Sequence, residues 1–288
     1  MQTDIVRPQA GLPIFRAEGR DRLFLRAGAQ IAGADSRADA ETEIALPEFA
    51  AGTDYLIRSD AGALVVAPAG ADLADAIGGF HFAPGDNASA RAGGDDAPAI
   101  NPFSIWDAGF RPACDPRGMA LVDLPDGRRL WVDIYLLGTD HLAQGTSRHG
   151  ATIADGHRNK PKKPDGSRHD GLDFLTAVDI YAGHGKRLLT YDEFRAAAFG
   201  VTEKSSADDK PETAGLDAAR TSRFGLMQAT GNLWVWGTDG DPDDPRPSLF
   251  GGSWLSGQYA GSRYADLDSW PDYSVEGFSA RGCRDHES

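Results

Sequence analysis

The chain has 288 residues, of which 41% are hydrophobic and 25% charged, and its formal net charge at pH 7 is −14. This length and composition suffice for one large domain or two smaller ones with a substantial core. The negative charge argues against nucleic acid and an anionic membrane surface as partners, because both are polyanions. No apolar run approaches a membrane span, and the first residues show no signal-peptide pattern, so we expect the chain to be made in the cytoplasm.

Residues 1–78 are predicted to form a small β-rich N-terminal domain. The stretches 12–32 and 53–68 consist of short apolar runs broken by Gly and Asp, as hairpins require. Asp60-Ala61-Gly62 lies between two of these runs and is predicted to be a turn. The segment 83–102 is polar and contains Gly and Pro, so a long loop is expected there.

Residues 79–288 are predicted to form a second, larger domain. Its first clear element is a hairpin at 119–138, with the turn at Pro125-Asp126-Gly127. A polar connection without periodicity follows at 145–170.

Two helices are predicted after this connection. The first, within 172–183, has apolar residues at i, i+3, i+4 and i+7, which predicts one buried stripe. Its members are Phe174, Ala177, Val178 and Tyr181. The second helix begins at Thr190, which forms a capping box with Glu193, and it ends at Gly200. Two helices among short strands and long loops indicate an α+β fold rather than a parallel doubly wound sheet.

One acidic turn resembles the start of a calcium loop. Asp239, Asp241 and Asp243 have the alternating spacing of calcium ligands. The sixth position is not glycine, and Phe250 stands where a bidentate Glu is required. An acidic surface turn within Asp239–Asp244 is therefore favoured over a metal site, and no metal or cofactor is predicted.

The reactive and basic side chains also allow two interpretations. Cys114 and Cys283 do not make a disulfide framework and have no identifiable base partner, so buried structural cysteine is favoured over a catalytic thiol. The polar connection contains a run of cations that could bind an anion, although a solvated loop in an acidic chain is favoured. These cations are Arg158, Lys160, Lys162, Lys163 and Arg168.

The segment from residue 251 to 283, called here the variable segment, has an unusual composition. It contains five large rings among Gly, Ser and Asp: Trp254, Tyr259, Tyr264, Trp270 and Tyr273. The rings follow neither a helical nor a strand period, so they do not form the buried face of a regular element.

The order of motifs in residues 171–283 resembles the formylglycine-generating-enzyme branch of the C-type lectin fold. The matching stretches are "GKRLLTYDEFRAAAFG", "FGLMQATGNLWVWG" and "LFGGSW", followed by "GSRY" and "GFSARGC". The resemblance implies a compact lectin-type α+β domain. The catalytic, copper-binding cysteines of that family follow "GGS", but here residues 254–261 read "WLSGQYAG" and contain no cysteine. The related iron-dependent sulfoxide synthases need a histidine-bearing helical domain that residues 1–100 do not resemble, so no catalytic residue is expected.

A second resemblance covers residues 78–288. The stretches "GGFHFAPG", "INPFSIWDAGFRPACDPRGMALV", "GTSRHGATIADG", "ATGNLWVWG" and "GGSWLSGQYAGSRY" look like the variable proteins of diversity-generating retroelements, a family that includes phage tropism proteins. In that family an error-prone copy, mutated at adenines, replaces the 3′ end of the gene. The resemblance therefore implies that the variable segment is a hypervariable binding surface on a fixed scaffold.

The composition of the segment suits this role. Tyr, Trp, Ser, Gly and Asp are typical of antibody-like contact surfaces. An Asn codon with two mutable adenines can yield the residues that we predict as ligand contacts: Leu255, Ser256, Tyr259, Tyr264, Ala265, Asp266, Leu267, Asp268, Ser269, Asp272 and Tyr273. A second set of expected contacts is Gln258, Trp270, Val275 and Glu276. The family's fixed framework is matched by Trp254, Gly257, Gly261, Ser262, Arg263, Gly277, Arg281 and Gly282. We expect Trp254 to be buried, and Tyr259, Tyr264 and Tyr273 to be exposed.

The sequence thus predicts a non-enzymatic ligand-binding protein, and it leaves open whether the protein acts on a virion, at a cell surface or in the cytoplasm. Its ligand is a protein or a glycan, with a protein favoured, and its oligomeric state is open. Two alternatives are a formylglycine-generating or sulfoxide-synthase-type oxidoreductase, and a purely structural tail-fibre component.

Overall fold

The fold is described from a computed structural model for residues 5–31 and 38–287. Within these ranges the chain is mostly β, with eighteen strands and three short α-helices. No helix of the described ranges is long and apolar enough to cross a membrane.

The N-terminal part consists of short antiparallel sheets. Its strands are β1 (Ile5–Val6), β2 (Phe15–Glu18), β3 (Arg22–Leu25), β4 (Gln30–Ile31), β5 (Thr42–Glu43), β6 (Thr53–Asp60), β7 (Ala63–Pro68), β8 (Gly78–Ala83), β9 (Ala99–Ile100) and β10 (Trp106–Asp107). Strand β1 pairs with β4, and β3 lies between β2 and β5. The main sheet has the order β10-β8-β6-β7, with β9 also paired to β8. The predicted domain boundary between residues 78 and 79 lies inside β8 and stays a prediction.

The predicted turn at Asp60-Ala61-Gly62 is confirmed. Asp60 pairs with Ala63, so Ala61 and Gly62 form a two-residue connection between β6 and β7. Both have positive φ, 48° and 88°, as the type I′ turns of hairpins require. Strand β6 contributes Tyr55 and Ile57 to the buried apolar core of this part, which also includes Ile14, Phe15 and Phe80.

The second part is built on one eight-stranded sheet. Its strands are β11 (Met119–Asp123), β12 (Arg129–Asp133), β13 (Arg187–Thr190), β14 (Trp234–Thr238), β15 (Pro247–Phe250), β16 (Ala265–Asp266), β17 (Phe278–Ala280) and β18 (Gly282–Asp285). The order is β11-β12-β18-β13-β14-β15-β16, with β17 also paired to β14. The predicted hairpin is confirmed as β11 and β12. Because β18 lies between β12 and β13, the C-terminal strand is held in the middle of the sheet.

Three α-helices accompany this sheet: α1 (His141–Gln144), α2 (Phe174–Gly183) and α3 (Tyr191–Ala197). The stripe predicted for α2 is partly wrong. The helix buries Ala177, Ile180 and Tyr181, whereas Val178 is 37% exposed and Phe174 only packs partly against the core. Ile180, three residues after Ala177, faces the core in place of Val178. The buried face of α2 therefore lies further round the helix than the predicted stripe.

The capping box predicted for α3 is confirmed. The Thr190 hydroxyl accepts a hydrogen bond from the Glu193 backbone N–H at 3.4 Å. The Glu193 carboxylate accepts from the Thr190 backbone N–H at 2.9 Å and from the Arg187 guanidinium at 2.7 Å. The cap therefore fixes the start of α3 to the end of β13.

Removing the cap should cause a measurable loss of stability. We expect Thr190→Ala to lower the free energy of unfolding by about 1 kcal/mol, because the first turn loses a backbone N–H acceptor. Thr190→Ser keeps the hydroxyl and is the matched control. Urea unfolding of the two variants checks this, and equal midpoints would contradict it.

Candidate binding surface

The variable segment is attached to the sheet at both ends. It leaves β15 after Phe250 and returns through β17 into β18. Inside the segment the chain folds back on itself, because the Gly251 N–H donates to the Tyr264 carbonyl oxygen at 2.8 Å and the Gly261 N–H to the Gly251 carbonyl oxygen at 3.0 Å. A loop with two fixed ends and internal backbone bonds can hold side chains in defined positions.

One glycine shows why the backbone of the variable segment tolerates little change. Gly252 has φ of 81°, and a Cβ added there would lie 2.8 Å from the Cβ of Ala260. A side chain at this position would be strained and would push the two sides of the loop apart. The backbone of the segment is therefore fixed by small residues beneath the exposed side chains.

The structure places the predicted contact residues at the surface. The most exposed large apolar side chains of the segment are Leu255 (77%), Trp270 (76%), Tyr259 (65%), Tyr273 (50%) and Leu267 (40%). The polar members Gln258, Asp266, Asp268 and Asp272 are also exposed. The remaining members are half-buried: Ser256, Tyr264, Ala265, Ser269, Val275 and Glu276. All of these residues are described by the structure, and none of them is buried.

Two expectations for individual rings are only partly met. Tyr264 is half-buried rather than exposed, and its ring lies edge-on to Tyr259 with the centroids 6.4 Å apart. Trp254 is also half-buried and packs against the core from its edge. Tyr273 is exposed as expected, but its ring rests on the buried Phe278 at 5.2 Å.

The framework is supported by residues that the sequence did not indicate. The Ser206 hydroxyl donates to the Trp254 carbonyl oxygen at 3.0 Å and accepts from the Gly257 N–H at 3.1 Å. The Glu203 carboxylate accepts from the Ser262 N–H at 3.1 Å. These partners lie about 50 to 60 residues earlier in the chain, so no local pattern could reveal them.

The polar connection also supports the segment. The Ser274 hydroxyl donates to the Gly156 carbonyl oxygen at 2.7 Å and accepts from the Leu172 N–H at 3.0 Å. Arg158 and Glu276 form an exposed ion pair at 3.6 Å, which contributes little in water. One end of the predicted solvated loop is therefore part of the frame.

Arg281 holds the back of the segment from inside the core. Its guanidinium is buried and donates to the backbone carbonyl oxygens of Asp133 and Met227, each at 2.6 Å, and to that of Ile134. Burial lowers the pKa of Arg281 to about 10, which leaves the side chain charged at neutral pH. A charged side chain thus joins β12 and the segment before β14 to the end of the variable segment.

The acidic turn engages its own backbone. The Asp239 carboxylate accepts from the Asp241 N–H at 3.1 Å, and the Asp241 carboxylate accepts from the Asp243 N–H at 2.9 Å. The backbone N–H of Arg246 also holds the pKa of Asp239 below its usual value. In the described ranges no three His, Cys, Asp or Glu side chains are grouped so as to hold a metal ion.

Neither cysteine is prepared for catalysis. Cys283 is fully buried, its sulfur lies 3.5 Å from the Leu188 carbonyl oxygen, and burial raises its pKa well above the usual value. Burial also raises the pKa of Cys114 to about 11. Both groups are therefore protonated thiols at neutral pH, and only thiolates are good nucleophiles and metal ligands.

Comparison with known proteins agrees with this architecture. A family model described as the Mtd second domain matches residues 13–107. The chain is 38% identical to the tail fiber receptor-binding protein of Bordetella phage BPP-1, over 99% of this chain and 85% of that protein. The solved structures of the U1 and M1 variants of the Major Tropism Determinant each superpose with a TM-score of 0.88 at 36% identity, covering 99% of this chain and 86% of theirs.

These matches define the class of protein: a mostly β chain with a C-type lectin-like fold. The chain belongs to the major tropism determinant family of retroelement variable proteins. The resemblance to the variable proteins of diversity-generating retroelements is thus confirmed.

Proposed function

We propose that this chain is a non-enzymatic receptor-binding protein of a phage tail fibre, associated with the virion. The observation that carries the proposal is the exposure of five large apolar side chains on one anchored segment. Monomeric proteins seldom expose such groups together unless they meet a partner. The name of the Bordetella phage relative, a tail fiber receptor-binding protein, supports the same role.

The contact surface is formed by the predicted variable residues, with Leu255, Tyr259, Trp270 and Tyr273 as its apolar part. Aromatic side chains offer a large contact area with few rotatable bonds, so little entropy is lost on binding. The exposed carboxylates of Asp266, Asp268 and Asp272 lie among them along the segment. A protein receptor with an apolar patch and basic neighbours fits this surface better than a neutral glycan.

The division into a β-rich domain at 1–78 and a lectin-type domain at 79–288 stays a proposal, and strands β8, β9 and β10 of the second domain then complete the sheet of the first. We assign the lectin-type domain to the formylglycine-generating-enzyme branch, because the motifs of that branch occur in order on α3, β14 and the start of the variable segment. The absence of cysteine from residues 254–261 argues against its oxidase chemistry. The alternative is a purely structural role in the fibre, and the following experiment distinguishes it from receptor binding.

Truncating exposed rings should weaken binding without unfolding the protein. Labelled protein is first tested for staining of a panel of bacterial strains by flow cytometry, and a stained strain then serves as the target. We expect Tyr259→Ala and Trp270→Ala each to lower the binding free energy by about 1–2 kcal/mol, which is roughly a 5- to 30-fold loss of apparent affinity in the staining assay. Thermal melts should show that the free energy of unfolding of each variant stays within about 0.5 kcal/mol of that of the unsubstituted chain.

Leucine variants give a matched control. Leu255 is 77% exposed on the variable segment, and Leu175 is 60% exposed on α2. Leu255→Ala should weaken staining, whereas Leu175→Ala should leave it unchanged. Equal staining by all four variants would refute the binding surface and favour a structural fibre component.

A further inference from the structure

A polar cavity of about 820 Å³ lies between residues 69–71 of the N-terminal part and helix α1 and the polar connection of the second part. Its lining includes charged and hydrogen-bonding side chains from distant parts of the chain: Arg117, Thr139, Gln144, Arg148, Thr152 and Arg168. Of the described residues that line it, none belongs to the variable segment. The cavity is therefore separate from the surface to which receptor binding is assigned above.

The carboxylates on the cavity wall are already neutralised. Asp115 accepts from the Arg117 Nε at 3.0 Å, and Asp140 lies 3.0 Å from the Lys162 ammonium. Each of these pairs has a net charge of zero. The excess charge of the wall therefore depends on the other cations.

Two arginines on the wall keep free donors. The Arg148 guanidinium lies 3.7 Å from a carboxylate oxygen of Asp54. This distance is too long for a hydrogen bond. That same carboxylate already accepts from His81 at 3.0 Å. Arg168 donates to the Lys160 carbonyl oxygen and forms no ion pair with an acidic residue of the described ranges. Since a guanidinium has five N–H donors, most of the donors of both arginines are available.

The histidines on the wall do not supply this positive charge. His141 Nε2 lies 3.0 Å from the Lys162 carbonyl oxygen, to which it must donate. His141 Nδ1 then accepts from His184 Nε2 at 2.9 Å, which fixes both neutral tautomers. Burial lowers the pKa of both rings, and also that of His149, the third histidine on the wall. Because Asp54 balances the charge of Arg148, the excess positive charge of the described lining residues at neutral pH is that of Arg168, while Arg148 contributes free donors.

We propose that this cavity binds a small anion that also carries several hydroxyl groups, namely a sugar acid or a sugar phosphate. Arg148 and Arg168 present the forked donors that recognise carboxylate and phosphate oxygens. Thr139, Thr152 and Gln144 can exchange hydrogen bonds with hydroxyl groups. Among the described lining residues there is no Phe, Tyr or Trp on which a nucleobase could stack.

The size of the cavity agrees with this class of ligand. Small-molecule sites usually occupy about 300–1,000 Å³, and 820 Å³ would accept one or two sugar units. Because its residues lie outside the variable segment, the site stays the same when that segment changes. The proposal does not depend on the receptor-binding role, since either site can be lost without the other.

The test is calorimetric titration of the full chain at neutral pH and low salt with two probes, glucuronate and glucose 6-phosphate. Glucose is the uncharged comparator. We expect at least one anion to bind and glucose to bind at least about tenfold more weakly, as expected when charge-assisted bonds are lost. The two probes distinguish a carboxylate ligand from a phosphate ligand.

Variants locate the site. Arg168→Gln should lower the affinity for the anion by about tenfold, because the substitution removes an exposed cationic donor and leaves buried groups unchanged. Arg223→Gln, at an exposed arginine outside the cavity lining, should change nothing. If both probes fail to bind at millimolar concentration, or both variants bind equally well, the proposal is wrong. If neither probe binds and Arg168→Gln alters the sedimentation coefficient, the cavity is an interface between copies, which also overturns it.

Discussion

Replacing Arg281 by methionine should destabilise the protein by about 3–5 kcal/mol, as expected when a buried charged network loses one partner. The substitution removes the guanidinium donors from the carbonyl oxygens of Asp133 and Met227 in the core. The Ile134 carbonyl oxygen loses one donor but still accepts from the Met227 backbone N–H at 2.9 Å. Buried acceptors without a donor each raise the free energy of the folded state by about 1–3 kcal/mol. The burial of the guanidinium is itself unfavourable, which is why the pKa of Arg281 falls to about 10. Methionine avoids this cost, and that offsets part of the loss.

Denaturant unfolding measures this effect directly. Arg284→Met is the matched control, because Arg284 is partly exposed and its guanidinium donates to Gly185 and Glu287 at longer distances, 3.2 and 3.3 Å. That variant should lose no more than about 0.5 kcal/mol. Arg281→Lys should recover only part of the stability, because one ammonium cannot match the planar fork of a guanidinium. Similar losses in Arg281→Met and Arg284→Met would contradict the role of Arg281.

Local features of the fold could be predicted from the sequence because they depend on neighbouring residues. The turn at Ala61-Gly62 and the capping box of Thr190 and Glu193 each use fewer than five consecutive residues. The exposure of Tyr259 and Tyr273 could be expected for a related reason. Isolated rings among Gly, Ser and Asp have no periodic partner with which to form a core.

Features that depend on distant contacts could not be predicted. On α2, Val178 lies four residues after Phe174 and Ile180 lies three residues after Ala177, and both spacings are compatible with a buried stripe. Only the position of the sheet decides which of the two side chains faces the core. Ser206 and Glu203 support the variable segment from elsewhere in the chain. The basic run of the polar connection was expected to be solvated, but Arg168 lines a cavity with residues from other loops.

Exchanging the variable side chains should transfer receptor specificity completely. The distant contacts that hold the segment reach mainly its backbone, as at the Trp254 carbonyl oxygen and the Gly257 N–H. They also reach the side chains of Ser262 and Ser274, which the exchange would retain. The frame therefore does not depend on which exposed side chains it carries. Binding does depend on them, because the affinity of such a surface comes from a few side chains held by a rigid frame.

The most direct measurement is this exchange followed by a binding assay. Residues 255–276 of a relative with a different host are placed in this chain, with Gly257, Gly261, Ser262 and Ser274 kept, and the reciprocal chimera is the control. Staining of both hosts and the thermal melts are then recorded. We expect each chimera to stain only the host of the protein that supplied the segment, while the unfolding free energy changes by no more than about 1 kcal/mol. This expectation would be contradicted if correctly folded chimeras kept the host of residues 1–254.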